Sequence, residues 1–301
     1  MSALPILPVP LATPLTGAER VDEVALGRLV DHVVCRGADG LLVLGTTGEF
    51  AGLPDCERVR AVEAVVAAAA GRVPVWAGVG DASTARAAAN MRALAGLDVD
   101  AYVVCAPYYM GSLSQLELER HFARLAEWTL RPLLVYNIPQ TTGVTIEPET
   151  IARLAAYEEI IGAKDSAADF ARCQSLLHLT AERPDFTVYT GQERLAAASL
   201  LAGAHGVVSG LANLVPEVFL ELHAACRDER LDRAGSLQRW LTQLSDAISD
   251  DWWLRGIKHA LDMQGVAQPR VLWPWVSDLA PVHREGIERL LDSTPVATWR
   301  P

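Results

Sequence analysis

The chain has 301 residues, half of them hydrophobic and 21% charged, which is enough apolar material for a sizeable core and excludes a disordered or fibrous chain. With 26 basic against 37 acidic side chains the formal net charge is −11, a balance that repels phosphate backbones and anionic bilayers. Neither nucleic acid nor a membrane is therefore an expected partner. Five cysteines (Cys35, Cys56, Cys105, Cys173 and Cys226) are odd in number and lack C-x-x-C spacing, which argues against a disulfide framework or a zinc knuckle and points to a reducing cytoplasm.

The first fifteen residues are apolar, but they have no basic head and are interrupted by Pro5, Pro8, Pro10 and Pro14, so a signal peptide is not expected. Short apolar runs bounded by turn residues then recur at 7–12, 40–44, 73–79, 99–106, 132–137, 160–164, 186–190 and 205–209, giving eight predicted strands. Between them lie stretches with apolar residues at helical spacing: 21–36, 54–70, 83–95, 114–128, 147–156, 169–179 and 193–202. The alanine-rich part of the second contains Glu63 and is too short to cross a bilayer. Parallel neighbours need crossover connections, and eight units close a barrel, so the expected fold is α/β, a (β/α)8 barrel. An open doubly wound sheet would place a glycine-rich phosphate turn after its first strand, and Ala12-Thr13-Pro14-Leu15 is not one. Gly78-Val79-Gly80-Asp81-Ala82-Ser83 follows the third run and ends in serine where a dinucleotide fingerprint has glycine, so it reads as a loop.

Beyond Val215 only helical patterns continue, at 217–227, 231–246, 250–263 and 283–291, interleaved with Trp252, Trp253, Trp273 and Trp275. The predicted organisation is a barrel with the active site over residues 1–225 and a helical C-terminal extension over 226–301, whose tryptophans pack against the core or a second subunit.

Only two of the 26 basic residues are lysines, Lys164 and Lys258. A guanidinium keeps its proton, whereas a desolvated amine can lose it, so a lysine in such a chain is a candidate for chemistry that needs a neutral nitrogen. In a (β/α)8 barrel the active site lies at the C-terminal ends of the strands. Three runs end in polar residues: Gly45-Thr46-Thr47-Gly48-Glu49, Tyr136-Asn137-Ile138-Pro139 and Lys164-Asp165-Ser166. An unprotonated Lys164 can attack a ketone, and the iminium is an electron sink for making or breaking the neighbouring carbon–carbon bond. The competing reading is a buried ion pair of Lys164 with Asp165 or Glu49. Tyr136 can pass protons, or be a core tyrosine with one satisfied hydroxyl. The Gly45–Glu49 turn offers two hydroxyls and main-chain amides for a carboxylate, or is only a turn.

Together, GTTGEF, the CAPYY segment at Cys105 to Tyr109, YNIP, GAKDS and GAHGVVSGLAN resemble the dihydrodipicolinate synthase and N-acetylneuraminate lyase superfamily of pyruvate-type class I aldolases, in order and over essentially the whole chain. The resemblance implies that Lys164 is the Schiff-base lysine and Tyr136 the proton carrier. It implies that Thr46 links Tyr136 to a second tyrosine, Tyr109, contributed across a dimer interface. Thr47 and Gly48 match the grip on the pyruvyl carboxylate, and Gly191 and Val208 match main-chain positions lining the keto-acid pocket. It further implies a homotetramer built as a dimer of dimers, no metal and no dissociable cofactor, the substrate being held as a covalent lysine imine.

Two departures bear on the substrate. Thr141 stands where the synthases carry an arginine for the aldehyde's carboxylate, and Gly191-Gln192-Glu193-Arg194 replaces the glycine-rich aromatic and acidic segment of the sialic-acid lyases. Arg194 is a candidate for a distal carboxylate or phosphate, or an exposed helix arginine. The expected function is cleavage or formation of a small 2-keto acid from pyruvate and an aldehyde, as with 2-keto-3-deoxygluconate or 4-hydroxy-2-oxoglutarate. Alternatives are 4-hydroxy-tetrahydrodipicolinate synthase, a 2-keto-3-deoxy sugar acid dehydratase on the same scaffold, or a keto-acid-binding sensor. The seven histidines, His32, His121, His178, His205, His223, His259 and His283, lack H-x-H or H-E-x-x-H spacing, which speaks against a metal aldolase.

Overall fold

A computed structural model describes residues 4–249, 253–275 and 278–296. All eight predicted strands are present as one parallel sheet in sequential order: β1 (Pro8–Pro10), β2 (Gly40–Val43), β3 (Val75–Gly78), β4 (Ala101–Cys105), β5 (Leu133–Asn137), β6 (Ile160–Asp165), β7 (Thr187–Thr190) and β8 (Gly206–Val207). The first and last are drawn together by a bond from Val207 N to Ile6 O (3.0 Å). Each strand is shorter than or equal to its apolar run, except that β6 extends through Asp165. The runs are nearly continuous in apolar residues because such strands are covered on both faces, by the barrel interior and by helices.

The helices fall where periodicity placed them: α1 (Glu23–Val34), α2 (Asp55–Ala69), α3 (Thr84–Ala93), α4 (Gln115–Trp128), then the four-residue α5 (Pro139–Thr142), α6 (Pro148–Leu154), α7 (Phe170–Leu179), α8 (Ala196–Leu201) and α9 (Pro216–Arg227). Their starts follow from local chemistry. Asp22, Ser83 and Asp169 accept from the amides of Ala25, Arg86 and Arg172, and Ser114 with Glu117 forms a reciprocal capping box on α4. Proline opens α6 and α9, where its missing N–H costs nothing. α5 has no apolar period and escapes a reading based on periodicity.

Among the described residues, three further helices make the C-terminal extension, α10 (Leu231–Ile248), α11 (Trp253–Met263) and α12 (Pro281–Asp292). The boundary expected after residue 225 falls just inside the end of α9, and the part of the third tail helix expected over 250–252, including Trp252, lies outside the described residues. α10 packs on α9 and α12, and α11 on the short helical turn Gly210–Asn213 that follows β8. Trp273 and Trp275 are exposed on this chain rather than packed into its core. Among the described residues, no helix is long and apolar enough to cross a membrane.

Candidate active site

β5 and β6 set the centre of the site. Tyr136 and Lys164 are register partners, as are the next pair, Asn137 and Asp165. Successive residues of a strand point to opposite faces, so Tyr136 and Lys164 line the central cavity while Asn137 and Asp165 point outward and brace the two strands. Asn137 Nδ2 donates to Asp165 Oδ1 (2.8 Å), Ile146 N donates to Asn137 Oδ1 (3.0 Å), and Arg172 Nε pairs with Asp165 Oδ2 (3.3 Å). The possible ion pair between Lys164 and Asp165 is thereby excluded by strand alternation.

The other possible partner, Glu49, is engaged by Lys258. The Lys258 ammonium donates to Glu49 Oε1, to Thr13 O (2.8 Å) and to Arg270 O (2.6 Å). With three N–H groups directed at three oxygens, Lys258 is a structural cation and does not line the cavity. Lys164 is 5% exposed and makes no ion pair among the described residues. Its Nζ lies 4.1 Å from the centre of the Tyr136 ring, and the phenol oxygen is 3.2 Å from Thr46 Oγ1.

A cavity of about 380 Å³ opens above these side chains. Thr46, Thr47, Tyr136, Lys164, Gly191, Arg194 and Val208 all line it. Gly191 is obligatory by contact: a Cβ there would overlap Ser166 Oγ and lie 3.0 Å from Lys164 Cε. Gly48 does not line the cavity. Residues 46–48 form one tight helical turn, in which the Gly48 amide is spent on Gly45 O (3.0 Å) and its carbonyl accepts from Thr13 Oγ1 (2.8 Å). Tyr109 does not line it either; it stands 89% exposed in the loop after β4, with a left-handed φ of 81°.

Arg194 sits at the mouth, paired with Asp246 and 46% exposed. Beside it, the Glu193 carboxylate accepts from Ser209 Oγ (3.1 Å) and Ser245 Oγ (2.7 Å). Gln140 and Gln192 both donate to Ser166 O, at 2.5 and 3.2 Å. Ser245, Trp253 and Ile257 of the C-terminal helices complete the wall; the sequence marked Trp253 only as a packing residue and the other two not at all, because their place at the cavity depends on how the extension folds back over the barrel. Among the described residues, no group of three or more His, Cys, Asp or Glu side chains is placed to hold a metal ion.

The model of the dihydrodipicolinate synthetase family matches residues 6–293. A 4-hydroxy-tetrahydrodipicolinate synthase of Gluconacetobacter diazotrophicus is 35% identical over 283 residues, 94% of this chain and 93% of its own. Another, of Thermomicrobium roseum, is 36% identical over 287 residues, 95% and 93% of the two chains. Among solved structures, a dihydrodipicolinate synthase of Bacillus anthracis superposes with a TM-score of 0.92 at 28% identity, covering 98% of this chain and all of that one (100%). The E. coli K12 prophage protein YagE, in complex with pyruvate, gives 0.91 at 28% identity, covering 97% and 99%.

A (β/α)8 barrel with a buried lysine and tyrosine side by side at its strand ends, seen with these relatives, defines a lyase of the pyruvate-type class I aldolases. More narrowly, the chain belongs to the dihydrodipicolinate synthetase family. The chemistry of that family runs through a covalent lysine imine with the substrate and needs no metal.

Proposed function

We propose that Lys164 forms the imine with a 2-oxo acid and that the chain makes or breaks the bond between pyruvate and a small hydroxylated aldehyde. The observation that carries this reading is the inward-facing Lys164, free of any carboxylate partner among the described residues and in contact with Tyr136. The amine adds to C2, the carbonyl oxygen becomes a hydroxyl, and this takes the Tyr136 phenol proton and leaves as water, so that Tyr136 is a phenolate beside the iminium. In cleavage, the C4 hydroxyl gives its proton to the Tyr136 oxygen and the C3–C4 electron pair moves into the iminium, releasing the aldehyde. The enamine then takes a proton at C3, and water returns pyruvate and the free amine.

Thr46 holds the phenol in orientation. Thr47, with amides of its turn, is assigned to the carboxylate of the oxo acid, and Gly191 and Val208 to the wall beside it. Gly48 is left out of direct contact because its amide is already bonded. Tyr109 is assigned to the neighbouring site of a second copy, which fits its exposure and its absence from the cavity lining of its own chain. That assignment requires a dimer, the unit of the expected dimer of dimers, and a cytoplasmic location goes with the same reading.

Two aldehydes compete. The names of the relatives favour 4-hydroxy-tetrahydrodipicolinate synthase. The cavity favours an uncharged partner: Thr141 is a neutral wall residue, Glu193 presents a carboxylate, and Arg194 is already paired with Asp246. A 2-keto-3-deoxy sugar acid, whose aldehyde half carries hydroxyls and no charge, suits this wall better than 4-hydroxy-2-oxoglutarate, whose aldehyde half carries a carboxylate.

Incubation with pyruvate and borohydride, followed by peptide mapping, is expected to place the reduced adduct on the Lys164 peptide; an adduct at Lys258 overturns the assignment. Pyruvate consumption with glyceraldehyde and with aspartate semialdehyde then separates the two partners. Preference for the semialdehyde makes the chain a synthase. Loss of water from a 3-deoxy sugar acid with no pyruvate released makes it a dehydratase.

A further inference from the structure

Lys258 and Glu49 are 2% and 9% exposed and lie 209 positions apart. They join three separate segments. The ammonium bonds the loop after β1 through Thr13 O, the loop after β2 through Glu49, and the segment after α11 through Arg270 O. The other Glu49 oxygen accepts from Leu272 N (2.9 Å). Glu49 also ends the helical turn that carries Thr46 and Thr47: its φ is 56°, and its own amide donates to Thr46 O (3.0 Å). On the other side, Thr13 Oγ1 donates to Gly48 O (2.8 Å). The turn is therefore gripped at Gly48 from β1 and at Glu49 from the C-terminal extension.

We propose that the buried Lys258–Glu49 pair is a positioning device, through which the C-terminal extension sets the Thr46–Thr47 turn and, by way of Thr46, the Tyr136 phenol. The inference rests on the reading of Lys164 as the imine-forming lysine and Tyr136 as its proton carrier. Among the described residues, the one hydrogen bond of the Tyr136 hydroxyl is the 3.2 Å contact with Thr46 Oγ1, so a shift of this turn moves the proton carrier relative to Lys164. The residue type fits the task. Three oxygens converge on one nitrogen, which an ammonium satisfies and a planar guanidinium cannot, and this accounts for a lysine in a chain where, Lys164 apart, every other Lys or Arg position is arginine. Burying two charges is a poor way to gain stability, since an apolar pair of similar volume is often as good or better. Geometry is what the pair adds. The same helix, α11, presents Trp253 and Ile257 to the cavity, so one element both walls the site and holds its turn.

The test uses the full chain with Lys258→Arg, Lys258→Met and the double variant Glu49→Leu/Lys258→Met, which leaves no lone charge buried. Two quantities are measured at saturating pyruvate: the fraction of Lys164 trapped by borohydride, and the rate at which the pyruvate methyl protons exchange into D2O. Their ratio, exchange per trapped site, cancels any loss of folded protein, so a merely structural role leaves it unchanged. The proposal expects the ratio to fall by about ten- to a hundredfold in Lys258→Arg and in the double variant. Wild-type exchange per trapped site in either variant overturns it. Absence of trapping at Lys164 in the unaltered chain overturns the imine reading and this inference with it.

Discussion

Tyr136 and Lys164 are register partners on adjacent parallel strands, with the amine 4.1 Å from the centre of the phenol ring. A slip of one residue in either strand would turn one of the two side chains out of the barrel. The outward pair Asn137 and Asp165, joined at 2.8 Å, guards against that slip. The apolar sequence of the strands sets the face, and the polar pair just beyond sets the register.

Tyr136→Phe should separate proton transfer from imine formation. The variant is expected to fold with a stability change below about 1 kcal/mol, since one hydrogen bond to Thr46 is lost. Turnover should fall by about 10²- to 10³-fold, while borohydride still traps pyruvate on Lys164 after longer incubation. Thr46→Val, which keeps the phenol but not its restraint, should cost on the order of tenfold. Steady-state kinetics beside intact-mass trapping checks both, and undiminished turnover in Tyr136→Phe would remove the tyrosine from the mechanism.

At Gly191 the constraint is steric. An alanine methyl would overlap Ser166 Oγ and crowd Lys164 Cε at 3.0 Å, so Gly191→Ala is expected to lose trapping at Lys164. Adding Ser166→Ala removes the overlapping oxygen but not the contact with the lysine stem, and should restore trapping in part. Full trapping in the single variant would mean that the strand ends yield more than close packing allows.

Acid should weaken the fold through buried histidines. Burial holds His121 at about 4, below its ordinary 6.5, with its Nδ1 2.9 Å from Thr84 Oγ1; burial and Arg36 hold His32 at about 4 as well. The folded values lie below the unfolded one, so the unfolded chain binds more protons across this window. Stability is therefore lost as pH falls from 6.5 towards 4, with about 2 kcal/mol arising from His121 between roughly pH 7.5 and pH 5. His121→Gln should flatten the pH dependence of urea unfolding by that amount. An unchanged slope would assign the acid sensitivity to other groups.

The wall at Thr141 offers a test of partner choice. Thr141→Arg adds a cation to a cavity whose Arg194 is already paired with Asp246. On the proposed reading it should raise kcat/KM for a carboxylated aldehyde by about tenfold relative to a hydroxylated one. Competition between the two aldehydes, followed by product mass, gives the ratio directly. No change in preference would indicate that the partner's carboxylate is bound elsewhere.

The sequence by itself determined the barrel and the polar residues at the ends of its strands. Eight apolar runs alternating with amphipathic stretches have few folded solutions, and a polar residue ending such a run must sit at the rim where the interior meets solvent. That logic found Tyr136, Lys164 and the Thr46–Thr47 turn, because each lies at the end of its own strand. It could not say which of the two lysines faces the cavity. Lys258 sits on a helix whose local pattern is silent about its partners, and those partners, Glu49 and Thr13, lie more than 200 positions away. The same holds for Gly48, turned away by a bond to Gly45, and for Ser245, Trp253 and Ile257, which reach the cavity only because the C-terminal helices fold back over the strand ends. Local propensity acts over a few residues, whereas burial and ion pairing depend on what the closed barrel brings into contact. Only the tertiary structure decided which charged groups face the cavity and which are used to hold it together.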